Sequence, residues 1–505
     1  MFRIASAIVL CCVAAGALAQ SDALPPPVLR ALRGAGVPPS AVAVVVQDVE
    51  ATRPSLAVNA AEPMNPASVM KLVTTYAALE LLGPAYRWKT EVYSAGTLTD
   101  GALTGHLILK GYGDPKLTLE SFWLMLRGVR SRGVRELRGD LILDRTHFDA
   151  ANHDPGRFDD EPLRPYNVGP DALLVNYKSV RFQFVPEPEA NAVRVLAEPR
   201  PQALEVVSSL KLSNGPCGDW RAKLRPEFRR AAPPGAGMQA VFAGTYAESC
   251  GERAWNVSLF SHRDYVGGLF RQLWAELGGR WDGAARDGIT PGEARIVHTH
   301  ESATLSEIVR DMNKFSNNVI ARQLYLTLGA ESGGAPARPE TAFQAVRTSL
   351  ARKGLEFPEL VIENGSGLSR IERISAESLA RLLVAAYHGA AMPEFIASLP
   401  LVAVDGTLRR RMHGEPVAGQ AHVKTGTLAD VRAIAGYVLD RAGRRQAAVM
   451  IVNHPNAPLA QPALDALLGW VYEAPGDGAA AGEPKAPRGR GPSTMRRRGA
   501  SPRGP

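Results

Sequence analysis

Cysteine is scarce in this chain. There are four in 505 residues, and two of them, Cys11 and Cys12, fall in one apolar stretch near the start. So few thiols exclude a multi-zinc array, and the length excludes a small scaffold held together by disulfides. No Gly-x-x-x-x-Gly-Lys-[Ser/Thr] phosphate loop is present, and neither His-Glu-x-x-His nor Cys-x-x-Cys occurs. His298-x-His300 and the isolated His422 are therefore read as ordinary surface or core histidines, since a metal site needs a fuller ligand set. No metal and no cofactor are expected. Repeats of fixed period are absent as well. With 45% hydrophobic and 21% charged residues the bulk is globular, and the length suggests about three domains.

Positive charge is not lacking. The formal net charge is +8, which suits nucleic acid, an anionic surface or neither. Its distribution narrows the choice. Arg3 carries +1 at the start, and residues 474–505 hold seven Lys or Arg against two Asp or Glu, a net of +5, which leaves +2 for residues 20–473. Residues 474–505 are built of Ala, Gly, Pro and Arg and cannot supply a core, so they read as a disordered basic tail. The first residues read as a secretory signal over 1–19. A basic Met1-Phe2-Arg3 precedes an apolar run, and Ala17-Leu18-Ala19 offers a small-x-small cleavage site. A membrane anchor is the rival, but the run is shorter than the roughly 20 residues a bilayer requires. Export makes nucleic acid an improbable partner. It points to a periplasmic protein, soluble or loosely associated with the envelope, whose tail could touch anionic envelope surfaces. In an oxidising compartment Cys217 and Cys250 are expected to pair, against the alternative of two buried thiols.

The pattern of the middle changes along the chain. Residues 40–49 form a buried strand by their apolar run, and 67–82 form a helix starting near Pro66. Short alternating runs at 107–109, 140–143, 180–184 and 204–212 make 86–260 β-rich. Helical spacing returns at 262–278, 303–328 and 376–388. Strands follow around 434–439 and 446–452, then a last helix at 459–472.

Three short motifs carry chemistry. Ser68-Val69-Met70-Lys71 puts a serine and a lysine three apart at a helix start, on one face. A lysine whose proton affinity is lowered by burial or nearby positive charge can act as base for the serine hydroxyl. About one such pattern is expected by chance at this length, and Ser208-Ser209-Leu210-Lys211 is a second copy. That copy lies in the strand-like run 204–212, where positions i and i+3 face opposite ways, so Ser208 is expected to be a decoy. Ser316-Asn317-Asn318 reads as a connection between two helices, either a plain capping turn or a functional element. Lys424-Thr425-Gly426-Thr427 combines a cation, a hydroxyl able to bind carboxylate and a glycine that admits close backbone approach.

In this order the three motifs are the signature of the penicillin-binding and serine β-lactamase-like acyl enzymes. Ser316 follows Ser68 by 248 positions, far more than a β-lactamase uses. The chain resembles the low-molecular-mass class C penicillin-binding proteins, the D-alanyl-D-alanine carboxypeptidase/endopeptidase family of the penicillin-binding protein 4 type. Gly111-Tyr112-Gly113-Asp114-Pro115, Pro165-Tyr166-Asn167-Val168-Gly169 and Glu363-Asn364-Gly365-Ser366-Gly367-Leu368-Ser369-Arg370 also match. The resemblance implies a multidomain α/β protein. A transpeptidase-like catalytic domain of helices on an antiparallel sheet, over 20–85 and 297–473, would be split by two β-rich inserted domains, at 86–178 with 256–296 and at 179–255. Cys217 and Cys250 would fall in the second insert. It further implies Ser68 as nucleophile, Lys71 as base and Ser316 as proton relay. Asn318 would hold the substrate amide, and Lys424 would add electrostatic support. Thr425 would bind the terminal carboxylate, with Gly426 and Thr427 beside it. The Ser68 and Thr427 amides would form an oxyanion hole, and Arg370 would contact substrate. The implied partners are peptidoglycan stem peptides as substrate and β-lactams as covalent inhibitors.

Overall fold

A computed structural model describes residues 23–149, 153–231 and 237–474. The leader expected over 1–19 and all but the first residue of the basic tail lie outside the described residues. No helix among the described residues is long and apolar enough to cross a membrane.

The chain opens with a helix, Pro26–Ala35, closed by Gly36 in the left-handed region. It then enters Val42–Asp48, an interior strand of a five-stranded, fully antiparallel sheet. The sheet order is Ala421–Leu428, Val431–Leu439, Arg445–Asn453, Val42–Asp48, Leu56–Val58. Antiparallel sheets commonly leave one face to water, but this one is covered on both. Ala43, Val45, Tyr437, Val449 and Ile451 enter a large helical core, while Val42, Val44, Val46, Val438, Met450 and Val452 face the helices Pro26–Ala35 and Gln461–Glu473. That double burial is why residues 42–46 read as a continuous apolar run. The helical layer contains Lys71–Leu82, Leu305–Lys314, Asn318–Gly333, Pro339–Arg352 and Ala376–Tyr387. Within Lys71–Leu82, residues 71–79 are all buried, so this helix runs through the middle of the layer.

The β-rich middle forms three further sheets. A seven-stranded sheet is built on the hairpin Lys89–Thr99 and Ala102–Gly111, with Arg295–Glu301 returning alongside the first of these strands. Two amphipathic helices, Leu119–Ser131 and His262–Glu276, bury Phe122, Met125, Leu126, Tyr265, Leu269 and Phe270 in the same core. A five-stranded and a three-stranded sheet share Phe182, Phe184, Phe242 and Tyr246, whose rings meet edge to face or stacked. Beside them Cys217 and Cys250 are disulfide-bonded, with Cα atoms 4.7 Å apart.

Several expectations change. Residues 204–212 are not one strand. Leu204–Ser208 pairs with Met238–Phe242 in the three-stranded sheet, and Lys211–Ser213 pairs with Thr245–Ala247 and Ala192–Glu198 in the five-stranded one. Alternation cannot reveal a strand that changes sheets at Ser209-Leu210. The strands Arg295–Glu301 and Arg253–Val257 run across the expected boundaries at 296/297 and 255/256, because their register continues past both. The helices Leu119–Ser131 and Pro339–Arg352 lie in stretches for which no helix was expected.

Candidate active site

The chain enters the site through Asn65. Its Oδ1 accepts from the Ala67 amide at 2.9 Å, its Nδ2 donates to the Ser369 carbonyl at 2.9 Å, and its own amide donates to Asn453 Oδ1 at 2.8 Å. These bonds tie the nucleophile turn to the end of the sheet's central strand, Arg445–Asn453, and to the 363–370 loop. They support Ala67 in the left-handed region, φ 46°, a conformation unfavourable for a residue with a Cβ. The chain then makes a 3₁₀ turn, Ala67–Met70, and continues as the helix Lys71–Leu82. Ser68 lies in this first turn, where backbone amides lack intrahelical acceptors. Gly367 (φ 79°) and Gly426 close around it. A Cβ on the first would collide with the Ala67 carbonyl, and one on the second with the Pro66 carbonyl.

Lys71 is fully buried, yet its Nζ reaches three oxygens. They are Ser68 Oγ at 3.0 Å, Asn318 Oδ1 at 2.7 Å and the Ser366 carbonyl at 2.5 Å. A neutral amine has two N–H donors and one lone pair. Asn318 Oδ1 and the Ser366 carbonyl take only hydrogen bonds, so they consume both donors. The lone pair is left for the Ser68 hydroxyl. Burial holds the Lys71 proton affinity well below the ordinary lysine range, the Lys424 charge lowers it further, and Glu372 opposes both.

A second lysine and serine stand opposite. Lys424, also fully buried, donates to Ser316 Oγ at 2.8 Å and to the Thr425 carbonyl at 2.7 Å, and desolvation lowers its pKa to about 7. Ser316 occupies the connection between Leu305–Lys314 and Asn318–Gly333 with φ 55°. Asn317 caps the second helix through the amides of Val319 and Ile320, which sets Asn318 in its first turn facing Lys71. Lys314 anchors the connection from behind, donating to the Leu399 carbonyl and to Asp405 Oδ2.

The structure thus brings together Ser68, Lys71, Ser316, Asn318 and Lys424, with Thr425, Gly426 and Thr427 on the strand Ala421–Leu428 along the same edge. Arg370 stands at the rim. Its guanidinium lies 4.5 Å above the Phe158 ring and 3.8 Å from Asp430. Phe158 itself packs with Ala67, Leu428 and Val431, so the segment around it forms one wall of the cleft. Ser208 is elsewhere, its hydroxyl donating to the Val193 carbonyl.

Three residues to which the sequence reading gave no role stand beside or behind the site. Thr407 Oγ1 lies 3.1 Å from Thr425 Oγ1. Asn313, fully buried, donates to Thr75 and Ser398 behind the Ser316 turn. Glu372 lies beneath the 363–366 loop. Thr407 follows Asp405-Gly406, a turn signal that could have flagged it. Nothing local distinguishes Asn313 or Glu372.

A sequence model of the D-Ala-D-Ala carboxypeptidase 3 (S13) family matches residues 31–471. The chain belongs to that family and is a serine-type D-Ala-D-Ala carboxypeptidase of the penicillin-binding kind, as the motifs had implied. It is similar to a D-alanyl-D-alanine carboxypeptidase of Actinomadura sp., 31% identical over 83% of this chain and 79% of the relative. It is also similar to the D-alanyl-D-alanine carboxypeptidase DacB of Haemophilus influenzae, 22% identical over 77% and 80%. The crystal structure of penicillin binding protein 4 from Haemophilus influenzae superposes with a TM-score of 0.72 at 22% identity, covering 88% of this chain and 99% of that one. The shared fold is therefore the multidomain penicillin-binding one.

Proposed function

We propose that the protein is exported to the periplasm and cleaves the D-Ala-D-Ala bond of peptidoglycan stem peptides, and D-Ala cross-links, through an acyl-enzyme on Ser68. The arrangement of Lys71 carries this reading: a buried lysine held by Asn318 Oδ1 and the Ser366 carbonyl with its Nζ 3.0 Å from Ser68 Oγ, so that the neutral amine turns its lone pair to the hydroxyl. Ser68 Oγ attacks the carbonyl carbon of the penultimate D-Ala and its proton passes to Lys71. The new O–C bond forms, the C–N bond breaks, and the leaving amine takes a proton relayed through Ser316, which Lys424 holds at 2.8 Å. Water then hydrolyses the ester. Asn318 holds the substrate amide, and Thr425 takes the terminal carboxylate with Lys424 adding positive charge nearby. The Ser68 and Thr427 amides receive the oxyanion, usually the largest single contribution in such sites. Arg370, on the Phe158 wall, contacts the stem peptide. A β-lactam is attacked by the same serine, but its amine stays tethered.

The chain's division into a catalytic part split by two inserted parts is part of this proposal, with the returns placed after Glu301 and Val257. So is contact of the basic tail with anionic envelope surfaces. Labelling with a fluorescent penicillin, followed by intact-mass analysis, tests the assignment. Wild type and Ser208→Ala should form a long-lived adduct and Ser68→Ala none. Rapid turnover of the penicillin would indicate a β-lactamase instead. Purified muropeptides that release no D-Ala and keep their cross-links would indicate a penicillin-binding sensor.

A further inference from the structure

Glu372 is fully buried beside the acylation centre, a costly place for a carboxylate unless it is paired or hydrogen-bonded. Its Oε1 accepts from three successive amides, Glu363 at 3.1 Å, Asn364 at 2.9 Å and Gly365 at 3.1 Å. Those amides belong to the turn whose next carbonyls do two jobs. Gly365 accepts from Thr74 on the nucleophile helix at 2.7 Å, and Ser366 accepts from Lys71 Nζ. Among the described residues Glu372 Oε2 has no hydrogen-bond partner, and neither does the buried Arg322 Nε. The two groups nevertheless interact electrostatically, as Glu372 does with Lys71.

Three buried basic side chains come from three elements. Lys71 comes from the nucleophile helix, Arg322 from the helix Asn318–Gly333 and Lys424 from the strand Ala421–Leu428. Lys424 and Arg322 both act to discharge Lys71, and Glu372 acts to keep it charged. Glu363 also faces Arg322, and Tyr325 faces Glu372. Burial pushes the Glu372 carboxyl upward, and the three amide hydrogen bonds and the nearby Lys71 pull the other way, toward the carboxylate.

We propose that Glu372 is a positioning residue for acyl transfer, shaping the 363–366 turn that orients Lys71 and serving as counter-charge to Lys71 and Arg322. This rests on the reading of Lys71 as the base for Ser68. The two functions separate in variants. Glu372→Gln keeps an oxygen for the three amides and removes the charge, while Glu372→Asp keeps the charge and shortens the reach to the turn.

The experiment measures the rate of fluorescent-penicillin acylation against pH, with a thermal melt of each variant. Loss of the negative charge disfavours the Lys71 ammonium, so the free amine persists to lower pH. In Glu372→Gln the rising limb of the profile should move to lower pH by about one unit or more, the size expected for a close charge partner. In Glu372→Asp the limb should stay near its wild-type position while the plateau falls about tenfold or more, as small misplacements of catalytic groups do. A Glu372→Gln limb that superimposes on wild type, or moves upward, overturns the counter-charge role. An unchanged Glu372→Asp plateau overturns the positioning role. Failure of both variants to fold makes Glu372 a folding residue and overturns the proposal. If wild type forms no adduct on Ser68, the acyl-enzyme reading fails first, whatever the variants do.

Discussion

The chain writes the same four-residue pattern twice and folds it into two different things. Ser68 and Lys71 share one helical turn, with the lysine buried and its nitrogen 3.0 Å from the hydroxyl. Ser208 and Lys211 lie in two different sheets with a break between them, and Lys211 is exposed. The lysine becomes a base only where burial and a neighbouring cation lower its proton affinity and where acceptors occupy its other valences. The first copy has the Asn65 network, the Ser366 carbonyl, Asn318 and Lys424 around it. The second has the Val193 carbonyl and an exposed surface.

The largest expected effect breaks the comparison directly. Ser68→Ala should lower the acylation rate by about four orders of magnitude or more, the usual consequence of deleting a serine nucleophile, and Ser208→Ala should match wild type. Stopped-flow acylation of both proteins decides it, and substantial residual acylation of Ser68→Ala would relocate the nucleophile. Next, Lys71→Met should cost about 10²–10⁴-fold in acylation, the range for a general base, and Lys211→Met close to nothing. Equal losses in the two lysine variants would remove the distinction drawn from burial.

The region around the second copy has its own constraint. Cys217–Cys250 closes a loop of 33 positions in the aromatic-rich sheets. Replacing both cysteines by serine should lower stability there by about 3–4 kcal/mol on the chain-entropy account, with penicillin acylation within twofold of wild type. Urea denaturation combined with the acylation assay reads both. A parallel collapse of acylation would couple the sheets to the site far more tightly than the fold suggests.

What was legible in the sequence follows from how local each feature is. The apolar run at 42–46 and the glycine and asparagine signals around Ser316 and Gly367 act within a few residues, so their elements were readable. So was the helix 67–82. The three motifs were visible because each places its chemistry within four positions. The sheet exchange at Ser209-Leu210 was not, since both halves alternate correctly and only their partners, at 238–242 and 245–247, differ. The helix Leu119–Ser131 has a cap at Thr118 and helical spacing at Phe122, Met125, Leu126 and Val129. Surrounding β pattern hid it. Glu372 was illegible for a different reason. Its meaning lies in three amides of a turn and in basic groups brought from positions 71 and 322.

The smallest expected effect sharpens the contrast between the two lysines without any substrate. Burial and the Lys424 charge hold Lys71 well below its unfolded value of about 10.5. Between the lowered native value and about 10.5 the unfolded chain binds more protons at this position than the folded one, so the Lys71 contribution to stability rises with pH across that window. Lys424 gives the same sign between about 7 and 10.5, and it is present in both wild type and Lys71→Met. Methionine does not titrate, so the substitution removes only the Lys71 slope. The constant offset between the two proteins depends on the lost bonds to Asn318 and Ser366. The slope does not. Urea midpoints at pH 7 and pH 9.5 should therefore shift in favour of wild type, relative to Lys71→Met, as the pH is raised. A Lys71→Met offset identical at the two pH values would mean that Lys71 keeps its proton when folded, and the lone pair assigned to Ser68 would not exist.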